Sequence, residues 1–559
     1  MKMTGAQITI ETLIEQGTEF VFGYPGGQVI DLYDAIYQAQ DRIHHILTAH
    51  EQGAAHAADG YARSSGKVGV VMATSGPGAT NLVTGIATAY LDSVPVVAIT
   101  GNVPNSLIGR DSFQEVDITG ITIPITKHNF FVKNIEDLAD TIRRAFQIAK
   151  SGRPGPVLVD IPKDIQTGKY DYTPMPVVPK EEQRKPKEYK LEKTARMIKE
   201  CHKPFIYVGG GAIRAQASEE IVQLANLIDA PVGCTLMGLS VVPQDDPHFL
   251  GMVGMHGHYA SSKALSEADL LLVIGARFSD RATGNVNKYG RHTRIIHIDI
   301  DRAEVDKNVA VDLGIGGDVK EALTELLKLV EPCQHDDWKK RVETLKEEEK
   351  EQFEKTTPLD TLNPYTLIQE VQKYTQPQTP IVTDVGQHQM WVAQYYRFQN
   401  PHTLITSGGL GTMGFGLGAA IGTSLATRQK TVLFTGDGSF GMNLNELATL
   451  SRLKAPVVII IMNNGVLGMV RQWQNLFFEK HYSQTTLESH PDYVQLAKAF
   501  HMKGYRIEAF DELSSVIEQA MKEEGPALVD CHIDKDELVL PMLPPGGSFD
   551  DIITEMEGA

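Results

Sequence analysis

Short apolar runs alternate with amphipathic stretches between residues 5 and 165 of this chain. Five runs rich in Val, Ile, Ala and Phe mostly end in small or polar residues, which is typical of buried strands in a parallel sheet. The stretches between them place apolar residues at helical spacing. This alternation predicts a doubly wound parallel sheet with helices on both faces. The predicted strands are 20–23, 43–48, 68–74, 95–100 and 156–160, and the clearest predicted helices are 52–63 and 81–91.

The same alternation returns twice, so the chain of 559 residues is predicted to be an α/β protein with three doubly wound parallel-sheet domains. A stretch rich in proline and charge separates the first two domains, and a Lys/Glu-rich stretch, expected to be a solvated helix, separates the last two. A tail rich in Pro and Gly is expected to pack over a neighbouring surface or to cap a site. The expected boundaries are 1–166 for the first domain, 167–190 for the linker, 191–335 for the central domain, 336–363 for the charged segment, 364–540 for the third domain and 541–559 for the tail.

The composition is that of an ordinary globular protein, with 42% apolar and 22% charged residues. A formal net charge of −18 argues against nucleic acid and anionic membranes as partners, because the long-range field repels both. No secretory leader is visible, and the apolar runs are far shorter than the roughly 20 residues that span a bilayer. The four cysteines are scattered without metal or redox spacing, which favours free thiols and a cytoplasmic protein.

Two predicted strands of the third domain end in oxygen-bearing side chains. Asp437 follows the run 431–435 within Gly-Asp-Gly, and Asn464 follows the run 456–462. Open α/β sheets bind ligands at the carboxyl ends of their strands, and Mg²⁺ prefers oxygen ligands completed by phosphate and water. Taken singly, each residue would more often be a turn residue. Their separation of 27 residues (464 − 437) resembles the thiamin diphosphate motif, which begins with Gly-Asp-Gly and ends with Asn-Asn.

The polar stretch between these two strands predicts a helix over 443–454. Its apolar residues recur at helical spacing. Asn443, with Glu446 three places further on, has the pattern of a capping box, so the helix is expected to begin at Asn443. The two strands and this helix are therefore predicted to form a strand–helix–strand unit, with both candidate metal ligands at the carboxyl ends of its strands.

Glu51 stands at the predicted start of a helix, 386 residues before Asp437 (437 − 51). Alone, it would be interpreted as a first-turn glutamate that interacts favourably with the helix dipole. In a thiamin diphosphate enzyme, a largely desolvated carboxylate at this place would share a proton with the pyrimidine ring. The small residues that follow it would let another surface approach closely. Because Glu51 and Asp437 belong to different domains, one cofactor would have to bridge both.

Longer segments make the resemblance specific. The chain resembles the large catalytic subunits of biosynthetic acetohydroxyacid (acetolactate) synthases over nearly its whole length, from Gly5 to Pro545. Met413, among glycines, would be the apolar wedge that holds the cofactor bent, although such a methionine is otherwise a gap-filler. The segments that carry the likeness are Tyr24-Pro25-Gly26-Gly27, His50-Glu51-Gln52-Gly53-Ala54, Ser75 to Asn81, Ser407 to Gly414 and Gly468 to Trp473.

The resemblance implies pyrimidine-binding, central Rossmann-like and diphosphate-binding domains in a transferase. Pyruvate would lose CO₂ on thiamin diphosphate, and the remaining two-carbon unit would join a second 2-oxo acid. Pyruvate as acceptor gives 2-acetolactate and 2-oxobutyrate gives 2-aceto-2-hydroxybutyrate, the entry steps to valine, leucine and isoleucine. The resemblance also implies a homodimer or homotetramer, with each site between the first domain of one subunit and the third domain of another. A small regulatory subunit is usual in the family.

The resemblance assigns roles to several residues by motif match. Glu51 is the cofactor-activating acid, Arg281 would hold the acceptor carboxylate, and Trp473 would form a wall that favours 2-oxobutyrate. Unaided, Arg281 would more often be a surface ion-pair member and Trp473 a packing indole. The other implied catalytic residues are Gly27 and Gln114 beside the reacting centre, and Lys163 with Phe113 at the entrance.

Both resident cofactors of the reacting centre have implied ligands. Mg²⁺ would be held by Asp437, Asn464 and the backbone carbonyl of Val466. Together with Glu51, these residues belong to the thiamin diphosphate site. Its further implied contacts are Pro25, Gly26, Thr74, Asn81, Gly386, Gln387, His388, Gly411, Met413, Gly436, Gly438, Ser439, Gly468 and Met469.

The central domain is expected to bind another cofactor. Gly209-Gly210-Gly211 follows a predicted strand, as phosphate-binding loops do, but does not spell a dinucleotide fingerprint. The resemblance implies FAD, retained without net redox chemistry in the main reaction, so a structural flavin is expected. The implied FAD contacts are Gly209, Gly210, Gly211, Thr235, His256, Gly275, Arg277, Asp299 and Asp318, with Arg153 from the first domain.

Three other functions stay open at this point. A catabolic, FAD-free acetolactate synthase would be colourless, and the flavin segments argue against it. A flavin-dependent pyruvate oxidase would release peroxide, and Arg281 with Trp473 favours carboligation instead. A non-catalytic binding subunit is disfavoured by intact Glu51, Asp437 and Asn464. Dimer or tetramer, a regulatory partner and inhibition by valine are not decided by the sequence.

Overall fold

The computed structural model describes residues 2–177, 185–286, 288–290, 292–489 and 491–555. Its described strands form three six-stranded sheets and one two-stranded ribbon. Every strand pair within the six-stranded sheets is parallel. Each sheet has a hydrophobic core on both faces. The prediction of three doubly wound α/β sheets is confirmed.

The first sheet shows why its strands read as continuous apolar runs. Val70 and Val97 pack into one core, whereas Val71 and Ala98 pack into the core on the opposite face. Both faces are therefore covered by helices, as in parallel sheets generally. In order across the sheet, the strands are His44–Leu47, Phe20–Gly23, Gly69–Ala73, Val96–Asn102, Val157–Pro162 and His128–Phe131. The α-helices are Gly5–Glu15, Ile30–Gln38, Glu51–Ser65, Pro77–Thr80, Val83–Leu91, Ile118–Thr122, Leu138–Lys150 and Lys163–Thr167.

The central sheet has the same two-faced packing. Ile206 and Leu272 face one core, and Tyr207 and Val273 face the other. In order across the sheet, the strands are Phe249–Met252, Val232–Cys234, Pro204–Val208, Leu270–Ile274, Arg294–Asp299 and Leu313–Gly316. The α-helices are Glu188–Glu200, Gly210–Arg214, Ser218–Leu227, Tyr259–Glu267, Asp280–Thr283 and Val319–Leu326, followed by the charged helix Asp336–Thr356.

The third sheet carries the Gly-Asp-Gly motif on one of its two middle strands. Val432 and Val458 face one core, and Leu433 and Ile459 face the other. In order across the sheet, the strands are Leu404–Ile405, Ile381–Thr383, Thr431–Gly436, Val457–Asn463, Ala527–His532 and Lys503–Ile507. The α-helices are Pro364–Gln372, Gln387–Tyr395, Phe415–Thr427, Asp437–Asn443, Leu447–Leu453, Gly468–Phe477, Tyr493–Ala499 and Phe510–Lys522.

The predicted linker and tail are partly structured. Lys169–Asp171 pairs with Lys2–Thr4 as a short antiparallel ribbon, and residues 178–184 of the linker lie outside the described residues. The tail packs over the central domain as expected, because Leu543 and Phe549 join its core. No described helix combines the length and the apolar character that a membrane crossing requires.

The helix predicted over 443–454 is wrong at its start. A helix already begins at Asp437 and runs to Asn443, and Leu447–Leu453 follows after one 3₁₀ turn. The Asn443 side chain donates to the carbonyl oxygen of Gly414 at 2.7 Å instead of capping a helix. The pattern of a capping box was present, but a tertiary hydrogen bond competes for the Asn443 side chain.

The first and third domains pack through the helices Glu51–Ser65 and Phe415–Thr427. Small residues make this possible, because an added Cβ on Gly418 would lie only 2.7 Å from the carbonyl oxygen of Gly53. The His56 ring lies in this interface, 5.3 Å from the Phe415 ring between centroids. Close contact between the two domains therefore depends on the run of small residues that follows Glu51.

His56 makes this interface sensitive to acid. Burial, with Arg63 nearby, lowers the pKa of His56 to about 3, so the folded protein keeps the ring neutral while the unfolded chain protonates near 6.5. Below pH 6.5 the unfolded state binds the extra proton, and stability is lost as the pH falls. We expect His56→Leu to reduce the loss of unfolding free energy between pH 7.5 and pH 5 by about 2 kcal/mol. Urea unfolding at both pH values measures this difference. The exposed His128→Leu is the control, and an equal pH dependence in both variants would contradict the assignment.

Candidate active site

Two neighbouring parallel strands of the third sheet bring Asp437 and Asn464 to the same edge. Asp437 is buried, and its Oδ2 accepts a hydrogen bond from the backbone N–H of Gly465 at 3.0 Å. Asn464 Oδ1 accepts from the N–H of Val466 at 3.2 Å. In the part of the chain that the structure describes, no group of three His, Cys, Asp or Glu side chains could bind a metal. A cation at this edge would therefore use one carboxylate, an amide oxygen and a backbone carbonyl, completed by phosphate, which suits Mg²⁺.

Glycines let two polar side chains approach this loop closely. An added Cβ on Gly436 would lie 2.9 Å from Nδ1 of His388, and one on Gly468 would overlap the Gln387 amide oxygen. Burial lowers the pKa of His388 to about 3, so its ring is neutral. The His388 Nε2 atom is buried without a hydrogen-bond partner among the described residues. An unpaired buried nitrogen beside glycines indicates a place for a hydrogen-bonding ligand.

The remaining third-domain residues implied by the resemblance lie around the same edge. Ser439 Oγ donates to the carbonyl oxygen of Val385 at 2.7 Å, which fixes the start of its helix. An added Cβ on Gly438 would lie 3.9 Å from the Met413 Cε atom, so this methionine reaches the Gly-Asp-Gly turn. Gly386, Gly411 and Met469 line the large cavity described below.

In the first domain, Glu51 is the first residue of its helix and is buried. Its Oε2 atom accepts a hydrogen bond from the side-chain amide of Asn81 at 2.9 Å. An added Cβ on Gly78 would lie 3.2 Å from the other carboxylate oxygen. The helix N-terminus favours the negative charge, and Asn81 fixes the orientation of the carboxylate.

The other first-domain candidates surround this helix start. Gly26, which follows Pro25, packs against Thr74, since an added Cβ there would lie 2.5 Å from the Thr74 side chain. The Gly27 carbonyl oxygen accepts from Lys163 Nζ at 3.2 Å, and Lys163 also pairs with Asp31. The structure thus brings these residues to the carboxyl edge of the first sheet.

Gln114 and Phe113 lie on an exposed loop near this edge. Gln114 has a positive φ of 58°, and its carbonyl oxygen lies 2.9 Å from where a Cβ on Gly76 would stand. The Phe113 side chain is 84% exposed. So large an exposed ring next to a strained backbone indicates a surface that a ligand or a second chain would cover.

A cavity of about 1140 Å³ lies where all three domains meet. Its lining includes neither Glu51 nor Asp437. Nine of the ten residues implied for FAD line it, namely Arg153, Gly210, Gly211, Thr235, His256, Gly275, Arg277, Asp299 and Asp318. Gly209 lies behind the lining, where an added Cβ would lie 2.6 Å from the Ala276 Cα atom.

The donors of this cavity suit a large polar cofactor. Burial lowers the pKa of His256 to about 4, and its Nδ1 atom is buried without a partner among the described residues. The backbone N–H of Gly211 already donates to the carbonyl oxygen of Gly275 at 2.9 Å, which brings two loops together. Arg153 Nη1 pairs with Glu304 at 2.6 Å, so this arginine is held at the cavity wall. The residues present fit a dinucleotide such as FAD.

Arg281 and Trp473 meet at one end of the same cavity, which both residues line. The Arg281 guanidinium lies over the Trp473 ring, 5.7 Å from its centroid, and Nη1 contacts the Met255 sulfur at 3.4 Å. An indole face attracts a cation. Arg281 Nε also lies 3.7 Å from the exposed carboxylate of Asp280, and a ligand carboxylate would bind the same guanidinium edge. The predicted boundaries assign Arg281 to the central domain and Trp473 to the third domain. The structure brings the two side chains into contact.

The contacts of Glu446 with the first domain were not predicted from the sequence. Its buried carboxylate accepts hydrogen bonds from the backbone N–H groups of Ala49 and His50 at 3.0 to 3.1 Å, and from the Thr449 hydroxyl at 2.7 Å. Burial raises the pKa of Glu446. Glu446 therefore ties the third domain to the two residues that precede Glu51. No local pattern marks this, because the contact joins residues about 400 positions apart.

Comparison with known families defines the class of protein. Three thiamine pyrophosphate enzyme domains match the chain: the N-terminal TPP binding domain over residues 3–121, the central domain over 191–326 and the C-terminal TPP binding domain over 384–531. These matches follow the three sheets in order.

Similarity to curated proteins identifies the family within this class of enzymes. The chain is 46% identical to a probable acetolactate synthase large subunit of Methanocaldococcus jannaschii, over 99% of this chain and 95% of that protein. It is 44% identical to the acetolactate synthase isozyme 2 large subunit of Escherichia coli K12, over 99% of this chain and 100% of that protein. A Haemophilus influenzae acetolactate synthase large subunit is also 44% identical, over 99% of this chain and 98% of that protein. The chain therefore belongs to the acetolactate synthase large-subunit family of thiamine pyrophosphate enzymes, which confirms the resemblance.

Proposed function

We propose that this chain is the catalytic subunit of a biosynthetic acetolactate synthase. It would decarboxylate pyruvate and transfer the two-carbon unit to a second pyruvate or to 2-oxobutyrate, at the entry to branched-chain amino-acid biosynthesis. The observation that carries the proposal is the Arg281–Trp473 pair, because it sets a carboxylate-binding cation and an apolar wall beside the cofactor edge of the third domain.

Thiamin diphosphate and Mg²⁺ fit the candidate residues at the carboxyl edges of the first and third sheets. Asp437, Asn464 and the Val466 carbonyl would hold the metal, while His388 and the glycines around it would surround the diphosphate. When bound, the cofactor supplies the carbon nucleophile for the pyruvate carbonyl. Glu51, oriented by Asn81, would hold the proton at the pyrimidine ring nitrogen.

Arg281 and Trp473 would bind the acceptor 2-oxo acid. A guanidinium forms two parallel charge-assisted bonds with one carboxylate, so Arg281 would fix the acceptor 2-oxo acid in one orientation. The Trp473 ring would pack against the alkyl end of the acceptor, where the extra methyl group of 2-oxobutyrate gains apolar contact.

We also propose FAD in the large cavity as a structural cofactor and a cytoplasmic location. Nine candidate contacts line the cavity, and the unpaired Nδ1 atom of His256 supports a hydrogen-bonding occupant. The names of the relatives, which are large subunits, support a small regulatory partner.

The proposed assembly is a homodimer or a homotetramer with each site between two copies. Large apolar side chains near the edge of the first domain and on the third domain are exposed, as in a surface that a second copy covers. They are Tyr24, Ile30, Tyr37, Phe113 and Ile123 of the first domain, and Met442, Val470 and Phe478 of the third.

Products formed from pyruvate and 2-oxobutyrate together test the proposed function. With thiamin diphosphate, Mg²⁺ and FAD present, we expect CO₂, 2-acetolactate and 2-aceto-2-hydroxybutyrate. The purified protein should show flavin absorbance. Peroxide without acetolactate would indicate a pyruvate oxidase, and absence of CO₂ release would exclude a catalyst of this class.

Trp473→Leu tests whether the indole ring favours 2-oxobutyrate over pyruvate as the acceptor. Loss of one indole contact with a methyl group is worth about 1 kcal/mol, so the preference for 2-oxobutyrate over pyruvate should fall about fivefold. The product ratio under competition measures it. Phe510→Leu, which changes an exposed ring of the same domain outside the cavity lining, is the control. An unshifted ratio in Trp473→Leu would remove the indole from the acceptor site.

Subunit mixing tests the assembly. Glu51→Gln and Asp437→Ala chains are refolded or coexpressed together and assayed at a cofactor concentration at which each alone has little activity. If each site uses Glu51 of one copy and Asp437 of another, random pairing restores about one quarter of the parental activity. Mixtures that stay inactive, although mixed dimers form, would place both residues of a site on one chain.

A further inference from the structure

A second cavity, of about 460 Å³, lies between the central and third domains. None of its lining residues belongs to the thiamin diphosphate or FAD groups described above. Its walls come from the strand Phe249–Met252, the charged helix Asp336–Thr356, the helix Gln387–Tyr395 and the start of the tail at Pro541. The volume is within the range that small-molecule sites occupy, roughly 300 to 1,000 Å³.

Two buried amide atoms on this lining have no hydrogen-bond partner among the described residues, Gln244 Nε2 and Gln394 Oε1. The Gln394 amide nitrogen donates to the carbonyl oxygens of His256 at 3.0 Å and Leu540 at 3.2 Å, which fixes the unpaired atom as the oxygen. One lining residue therefore offers a donor and another an acceptor. Buried polar atoms are rarely left unpaired, so this pair points to an occupant with both functions.

The cavity also has an aromatic wall. Phe353 and Tyr365 have ring centroids 4.9 Å apart, and Tyr365 and Tyr395 have centroids 5.4 Å apart. All three rings line the cavity, and Phe249 faces it from the central domain. The rings meet edge to face, with interplanar angles of 66° and 87°, so a planar ring system gains apolar burial and can stack on the face of one ring.

Positive charge gathers on the same lining. Lys346 and Lys350 lie one turn apart on the charged helix, and Arg397 lies on the third domain. The nearby carboxylate of Glu349 accepts from the backbone N–H of Ala260 at 2.7 Å. Lys346 Nζ donates to the Pro247 carbonyl oxygen at 2.7 Å. Lys350 Nζ lies 3.7 Å from the exposed Glu354 carboxylate, and an exposed pair of this kind is weak. Lys350 and Arg397, both exposed, are therefore the cations best placed for an anionic group.

We propose that this cavity binds a nucleoside monophosphate. The base would stack on one ring of the cluster of Phe353, Tyr365 and Tyr395, and its donor and acceptor edge would pair with Gln394 and Gln244. The phosphate would lie by Lys350 and Arg397. Inorganic phosphate would leave the aromatic wall and the two amides unused, and a plain aromatic acid would leave the amides unpaired. The inference is independent of the reaction proposed above.

Calorimetric titration of the full chain with AMP tests this site, with FAD, thiamin diphosphate and Mg²⁺ saturating so that the other cofactor sites are filled. We expect one AMP per chain, and at least about tenfold weaker binding of adenosine and of inorganic phosphate. Gln244→Met should weaken AMP binding at least about tenfold without lowering the melting temperature, because the unpaired amide is removed.

A second pair of variants tests whether the positive charge of Lys350 contributes to AMP binding. Lys350→Gln should weaken AMP but not adenosine, whereas Lys355→Gln, on the same helix outside the lining, should leave both unchanged. Three results would overturn the proposal: no saturable AMP binding, AMP binding that excess FAD abolishes, or unaltered AMP affinity in Gln244→Met. Binding of phosphate as tight as that of AMP would likewise reject a nucleotide.

Discussion

Glu51→Gln is expected to lower turnover by about 10²- to 10⁴-fold while the affinity for thiamin diphosphate changes little. Glutamine keeps the size of the side chain and can still interact with Asn81, which contacts Glu51 Oε2 at 2.9 Å. It cannot share a proton with a ring nitrogen. Since the candidate metal ligands lie on the third domain, substitution in the first domain leaves them intact. The turnover number and calorimetric cofactor affinity, measured on one preparation, separate chemistry from binding.

A matched substitution controls for loss of charge in the first domain. Glu136→Gln removes an exposed carboxylate at another helix start of that domain and should leave turnover unchanged. An unaltered turnover number in Glu51→Gln would reject its role as the proton-sharing acid. Loss of cofactor binding in this variant would instead indicate a structural role for the carboxylate.

Asp437→Ala is expected to produce the opposite pattern, with affinities for Mg²⁺ and thiamin diphosphate reduced by about 10- to 100-fold or more. Turnover should partly recover when both are raised. The carboxylate is the one negative ligand of the proposed set, and it also accepts the Gly465 N–H that shapes the loop. Titration of activity and of heat with Mg²⁺ measures both effects.

Asp437→Asn separates the charge from the loop geometry, because it keeps an oxygen for Gly465 and loses only the negative charge. It should bind Mg²⁺ more weakly than the parent and more tightly than Asp437→Ala. Asp511→Ala, an exposed first-turn residue of the same domain, is the control. Unchanged Mg²⁺ dependence in Asp437→Ala would exclude this residue from the metal site.

Periodicity predicted the fold because burial on both faces forces parallel strands to be continuously apolar. The run 456–462 and the observed strand Val457–Asn463 differ by only one residue at each end. The position of Asp437 and Asn464 at one edge also follows from the pattern, since neighbouring parallel strands end on the same side.

Local pattern could not predict contacts between domains. Asn443 and Glu446 satisfy a capping rule, yet Asn443 bonds Gly414 and Glu446 bonds the backbone before Glu51. The cation–π contact of Arg281 with Trp473 was equally invisible in spacing. Such contacts depend on how three sheets pack, and no short stretch of sequence encodes that arrangement.

Glu51 and the Asp437 loop must act on one cofactor molecule, and a crystal structure of the full chain with thiamin diphosphate and Mg²⁺ tests this most directly. We expect the Glu51 carboxylate within about 3 Å of the pyrimidine ring nitrogen. The Mg²⁺ on the diphosphate of that same molecule should be ligated by Asp437, Asn464 and the Val466 carbonyl. A bound cofactor whose metal contacts Asp437 while every copy of Glu51 lies out of reach of its pyrimidine ring would contradict this arrangement.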